Sequence, residues 1–341
     1  MTYAALRAAL AAAGVENSAG EARILLTSLC GINAADLPFC DFADASGRLA
    51  DAVARRARHE PLQYILGKWP FYKEEYFVSP DCLIPRADTE LLVETLVSTL
   101  PRSARLLDLC TGSGCIAIST AKNRPDITAL AADLSDGALR LATRNAAANG
   151  VTTVDFAKLD VTAPSPLDER FDCIVANPPY IRADVVPTLA PELSYEPKMA
   201  LDGGADGLVF YRAILTNFAE NLKRGGTFLF EFGYDQAADA EALAAAFVVF
   251  AYYRLFEAAL QAEKPCFLVF YRLDEPAFDA GAVGGNAVGE YLVADKDDLF
   301  FFDPEMLDAE KNSARRRLSG VGYAEKLQLG VEDFGAFAVV V

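Results

Sequence analysis

Residues 106–118 read LLDLCTGSGCIAI. A leucine-rich run, Leu106 to Leu109 with Asp108 inside it, breaks at a turn carrying Gly112 and Gly114, and a helix-forming stretch follows. Strand, glycine turn and helix in that order open an α/β unit whose ligand approaches the main chain at the turn. The helix start adds free N–H groups and the positive end of a dipole. No Gly-Lys-Ser/Thr follows the turn, which excludes an ATP-type phosphate loop. A dinucleotide fingerprint asks for glycine where Ala117 stands, and alanine is sometimes accepted there, so that alternative stays open on these residues alone.

Further strands are expected at ITALAAD, TVDFAKLD, FDCIVAN, GTFLFEF and CFLVFYRL, and FVVFAYY near 247 adds another. Helical stretches over 115–123, 135–149, 207–223 and 235–246 separate most of them. Strands alternating with helices predict a parallel α/β sheet, with the last strands pairing antiparallel. The second strand ends on Asp133, about twenty residues past the turn, where a carboxylate can accept both hydroxyls of a ribose. Its plainer role is to cap the 135–149 helix, for which Ser135 is the better cap. Asp160 ends the third strand, within reach of an adenine amino group or as an ordinary turn residue. The fourth ends in IVANPPYIRAD, residues 174–184.

Pro178 and Pro179 lack backbone N–H groups and end that strand at a stiff corner carrying Asn177 and Tyr180. Such a corner aims the Asn177 side chain and nearby carbonyls at a guest instead of a neighbouring strand. Something flat with N–H groups to satisfy fits there, beside the Tyr180 ring.

Upstream, residues 1–60 read as helices, with Thr2 capping the first and Gly14 ending it. Ser18 and Glu21 have capping-box spacing, Gly31 ends the second helix, and a third covers about 46–58. The N-terminus carries Arg7 within its apolar stretch and reads as an amphipathic helix, not a signal peptide. Residues 61–84, rich in aromatic and β-branched side chains, read as a β-hairpin linker. Beyond 275 a Gly/Ala-rich stretch leads to a short strand and a helix capped by Asp303. The expected units are thus 1–60 helical and substrate-recognising, 61–84 linker, 85–274 sheet domain, and 275–341 an extension without assigned function.

The 341 residues are 52% hydrophobic and 23% charged, which supplies ample core, and the formal net charge is −17. That field disfavours binding to a nucleic-acid backbone. Seven cysteines without a CxxC pair, and His59 as the one imidazole, argue against a zinc site and for reduced thiols in a cytosolic protein. No apolar run is long enough to span a membrane.

Taken together, DLCTGSGCIAI, AAD and NPPYI resemble the motifs of class I methyltransferases that use S-adenosylmethionine. With EPLQYILGKWPFY, VSPDCLIPRADTELLVE, YEPKMALDGGADGLVFYRAIL and FEFGYDQ, nearly all of residues 1–273 is similar to the release-factor glutamine methyltransferases, the PrmC or HemK family. The resemblance implies a Rossmann-like class I fold, with Cys110, Thr111, Gly112, Ser113 and Gly114 around the methionine and ribose of the cofactor. It implies ribose contact by Asp133, an adenine wall at Asp160 and Val161, and amide binding by Asn177, Pro178, Pro179 and Tyr180, with Asn177 also facing the cofactor. Some relatives carry an aromatic at the position of Val161. The implied substrate is the glutamine of the Gly-Gly-Gln motif in class I peptide chain release factors, modified by a monomeric cytoplasmic enzyme without metal. A ribosomal protein, or adenine N6 in nucleic acid, stands as the alternative substrate, since NPPY also occurs in those enzymes.

Overall fold

The computed structural model describes residues 2–37, 39, 47–236, 239, 243, 249–254 and 266–272. The extension over 275–341, with its Asp303-capped helix, and most of the helix expected over 235–246 lie outside the described residues.

At the N-terminus, α1 (Tyr3–Ala12) buries Leu6 and Leu10 one helical turn apart, and Thr2 caps it by accepting from the Ala5 N–H. The second helix, α2 (Ser18–Cys30), corrects the expected capping box. Asn17 is the cap, accepting the Gly20 N–H at 3.1 Å, because the helix already begins at Ser18. Glu21 is thereby freed to pair with Arg56, Nε to Oε2 at 2.6 Å, at the end of α3 (Arg48–Arg56).

The linker region also differs from expectation. Residues 62–66 form a short helix, α4 (Leu62–Leu66), entered from Pro61 and stopped by Gly67 at φ +74°. Its Leu62, Ile65 and Leu66 fall at helical spacing and pack into the N-terminal helical core, and that burial overrides the β-prone composition. Only then does the hairpin follow, β1 (Lys68–Phe71) antiparallel to β2 (Glu74–Phe77).

Helix α5 (Glu90–Thr99) leads into β3 (Arg105–Leu109), α6 (Cys115–Asn123), β4 (Thr128–Asp133), α7 (Asp136–Asn149), β5 (Val154–Lys158) and β6 (Phe171–Ala176). After three short 3-10 turns come α8 (Val209–Asn217), β7 (Leu222–Phe232), β8 (Val249–Arg254) and β9 (Cys266–Arg272). The sheet order is β5-β4-β3-β6-β7-β9-β8, with β3 to β7 mutually parallel and β9 antiparallel to both β7 and β8.

Both faces are covered, as a parallel sheet requires. Leu107, Leu109, Ile174 and Ala176 point into one apolar layer with α8, while Leu106, Cys173 and Val175 point into the other with α5 and α6. From β3 the chain steps outward to β4 and β5, then returns to β6 on the other edge of β3. The strand order reverses there, and a crevice opens at the carboxyl ends of β3 and β6. Among the described residues, no helix is long and apolar enough to cross a membrane.

Candidate active site

Sheet register brings the strand ends together. Leu109 lies opposite both Ala132 and Ala176, and Ala176 lies opposite Phe230. The next residues along, Asp133, Cys110, Asn177 and Glu231, therefore stand at one level at the ends of four neighbouring strands, which are spaced about 4.8 Å from one to the next. The glycine turn and the Asn177 corner leave the sheet side by side.

Asp133 holds the turn. Its Oδ2 accepts the Gly112 N–H at 2.9 Å, and its Oδ1 accepts the Ser135 N–H at 2.9 Å. Ser135, not Asp133, caps α7, through the Ala138 N–H. A carboxylate has about four lone-pair sites, so two remain for a diol. Burial pushes the Asp133 carboxyl up, opposed by the N–H groups of Ser135 and Gly112.

Below the turn, the Thr111 hydroxyl donates to Asp108 Oδ2 at 2.5 Å, and the Ala117 N–H donates to the same oxygen at 3.3 Å. Asp108 is fully buried, its Oδ1 has no partner, and burial pushes its carboxyl up to about 7. Gly114 sits at φ +80°, and a Cβ there would come within 2.7 Å of Ile118 Cδ1. Cys110 also has positive φ, and burial drives its thiol well above the usual range. The Asn145 side chain donates to the Ser113 carbonyl at 2.9 Å while pairing with both the N–H and the carbonyl of Phe77 in β2.

Asp160 and Val161 follow the next strand, where the Leu159 N–H donates to the Asp133 carbonyl at 3.1 Å. Asp160 is exposed and closes its own turn, accepting from the Thr162 N–H and hydroxyl, which hold its carboxyl below the ordinary range. Val161 is 7% exposed and packs in the apolar layer with Leu109 and Ala132, so its side chain is mostly core.

The Asn177 corner is braced from behind. Pro178 and Pro179 are buried, and residues 201–204 bond the chain just beyond them at Ile181 and Ala183, with Gly203 close against the Pro179 carbonyl. The Gln236 amide donates to the Tyr180 carbonyl at 3.1 Å, and a Cβ on Gly207, at φ +76°, would come within 2.3 Å of that carbonyl. On its inner side, Asn177 Nδ2 donates to Thr89 Oγ1 at 3.2 Å, and Thr89 donates to Glu231 Oε2 at 2.7 Å. The Tyr180 hydroxyl donates to Glu231 Oε1 at 3.4 Å. Glu231 is 1% exposed, and burial pushes its carboxyl up to about 7. Sequence reasoning missed Thr89 and Glu231; the available signal was a lone acid inside the apolar run FLFEF.

Relatives carry the same span of sequence. A release factor glutamine methyltransferase of Geobacter sulfurreducens is 42% identical over 238 residues, covering 68% of this chain and 82% of the relative. One of Agrobacterium fabrum is 39% identical over 250 residues, 70% of this chain and 86% of that one.

This chain belongs to the release factor glutamine methyltransferase family.

The family models agree, with a PrmC N-terminal domain matching residues 3–67 and a methyltransferase small domain matching 86–227. A solved ribosomal protein L11 methylase from Lactobacillus delbrueckii subsp. bulgaricus is 21% identical with a TM-score of 0.42, covering 57% of this chain and 84% of that one.

The two matched regions of this methyltransferase meet beside the site. Arg56 reaches past Glu21 to Glu192 at 3.0 Å, and the Tyr195 hydroxyl donates to the Arg58 carbonyl at 2.7 Å. Glu196, in the same segment, pairs with Arg86 and accepts the Ile84 N–H at 2.9 Å. The chain that follows Tyr180 is thus fastened to the N-terminal helices.

Proposed function

We propose that this methyltransferase modifies the side-chain amide nitrogen, N5, of the glutamine in the Gly-Gly-Gln motif of class I peptide chain release factors. The observation that carries the reading is the shared level of the glycine turn and the Asn177 corner on adjacent strands. Asp133, with lone pairs to spare beside a turn whose Gly112 Cβ position meets only Cys82 at 3.7 Å, fits the ribose of S-adenosylmethionine. The acids Asp133 and Asp108 near the turn suit its positive charge. S-adenosylmethionine supplies a methyl carbon activated by its sulfonium.

Everything else falls to the chain. Cys110 to Gly114 line the cofactor side, Asp160 borders the adenine side, and Val161 backs it. Asn177 Oδ1 and the Pro178 carbonyl accept the two amide protons of the substrate glutamine and turn its nitrogen lone pair toward the turn. Pro178 and Pro179 keep those acceptors in place beforehand, so little reorganisation remains during reaction. The amide proton becomes acidic only as the nitrogen gives up its lone pair to the methyl carbon and is then released to water by way of its carbonyl acceptor, so no His or Lys base is needed. Residues 1–60 serve as the recognition unit for the protein substrate.

Incubation with methyl-labelled cofactor, in separate arms with a bacterial release factor, ribosomal proteins and DNA, tests the substrate. Mass spectrometry should place the label on the Gly-Gly-Gln glutamine. Transfer confined to a ribosomal protein or to adenine overturns the reading.

A further inference from the structure

We propose that Thr89 and Glu231 are positioning residues that lock the Asn177 carboxamide with Nδ2 inward and Oδ1 toward the substrate. This rests on the reading of Asn177 as the clamp of the substrate amide.

The lock follows from counting protons. A threonine hydroxyl has one proton and two lone pairs, and a carboxylate only accepts. The Thr89 proton goes to Glu231 Oε2 at 2.7 Å, so Thr89 Oγ1 offers Asn177 nothing but lone pairs. Only Nδ2 can answer them, at 3.2 Å. A flipped amide would set Oδ1 against those lone pairs and against the carboxylate beyond. Asn177, Thr89 and Tyr180 all favour the charged form of Glu231, the form that keeps the Thr89 proton away from Asn177.

The orientation matters because the two ends of an asparagine amide have nearly the same shape. Facing a glutamine –NH2, Oδ1 accepts, whereas Nδ2 would present donor to donor and push the substrate nitrogen away. Without the relay, sterics alone would not choose between the two.

The relay also reverses when Glu231 is neutral. A protonated carboxyl can donate to Thr89 Oγ1, which releases the Thr89 proton toward Asn177 and permits the flip. Glu231 is faced by Asp88 and Thr89 at the start of α5, by Asn177 and Tyr180 after β6, and by Cys115 at the start of α6, while Tyr211 of α8 donates to its backbone carbonyl at 2.7 Å. Of these Asp88 raises the carboxyl further, Thr89, Asn177 and Tyr180 lower it, and burial dominates. Turnover should therefore rise as pH passes through about 7.

The test uses the full chain with release factor at saturating S-adenosylmethionine, comparing Thr89→Val, Thr89→Ser, Glu231→Gln and Asn177→Ala. Binding of S-adenosylhomocysteine by calorimetry reports folding and the cofactor side. Loss of a hydrogen bond to a charged group predicts that Thr89→Val and Glu231→Gln lower kcat by about 10- to 100-fold with cofactor binding retained. Thr89→Ser, which keeps the hydroxyl, should stay within about threefold of wild type. The wild-type rise near pH 7 should vanish in Glu231→Gln. Full activity in Thr89→Val beside an inactive Asn177→Ala overturns the relay and leaves the clamp standing. An active Asn177→Ala overturns the clamp itself. If Thr89→Val loses cofactor binding, the pH limb of wild type against Glu231→Gln decides.

Discussion

The two halves of the crevice are held by different means. The glycine turn is tied by a carboxylate that reaches main-chain N–H groups only 21 residues away or closer. The Asn177 corner is tied by side chains from distant parts of the chain, with Thr89 88 residues away and Glu231 51 residues past Tyr180. One half is local backbone geometry, and the other is a junction of three elements. A cofactor common to many substrates suits the first arrangement. A clamp specific to one planar group suits the second, because each partner fixes one proton or one lone pair.

The sharpest way to break this contrast is to remove one anchor from each half. Asn177→Ala should lower transfer by on the order of a hundredfold or more while cofactor affinity stays close to wild type. Calorimetry with S-adenosylmethionine beside turnover assays reads both. Asp133→Ala should act the other way round, raising the cofactor Kd by about 10- to 100-fold, with kcat recovering at saturating cofactor. Parallel losses in the two variants would mean the halves are not separable.

Next in size is Gly207→Ala. Its Cβ would meet the Tyr180 carbonyl at 2.3 Å at a positive φ, so a loss of about 1–3 kcal/mol in stability is expected, read by urea unfolding. Transfer should fall more than cofactor binding, since the corner moves and the turn does not.

The smallest and most gradual effect is with pH. Asp108 and Glu231 both have folded-state pKa values of about 7, above those of an unfolded chain. Their protonated forms favour the fold, so this stabilisation is complete below about pH 4 and is lost as pH rises through about 7. Urea midpoints should fall between about pH 4 and pH 7 and level off above, and Asp108→Asn should flatten that slope. A midpoint rising over the same window would contradict the burial of both acids.

How much of this was legible in the sequence follows the same divide. Strand–turn–helix order, Asp133 at a strand tip and the proline corner are all encoded within a few residues, and the sheet built from them matches what the spacing predicts. The misreadings were tertiary. Residues 62–66 have strand-like composition but gain more by packing Leu62, Ile65 and Leu66 on the helical core. Ser18 has capping-box spacing, yet Glu21 is drawn to Arg56, 35 residues on. Thr89 looks like an ordinary helix start, and only the fold shows that its hydroxyl faces a buried acid. Asp160 could be placed at a strand end but not told from a turn residue, because its partners are Thr162 and its own loop.

Asn145 ties the hairpin to the machinery. One amide joins Phe77 to the Ser113 carbonyl, and the Val78 N–H reaches back to Gly67 at the end of α4. The segment between helices and sheet is consequently a keyed spacer rather than a tether. With residues 1–60 as the recognition unit proposed above, it would set how far a side chain must project from the bound protein to arrive at the crevice, a ruler built into the fold.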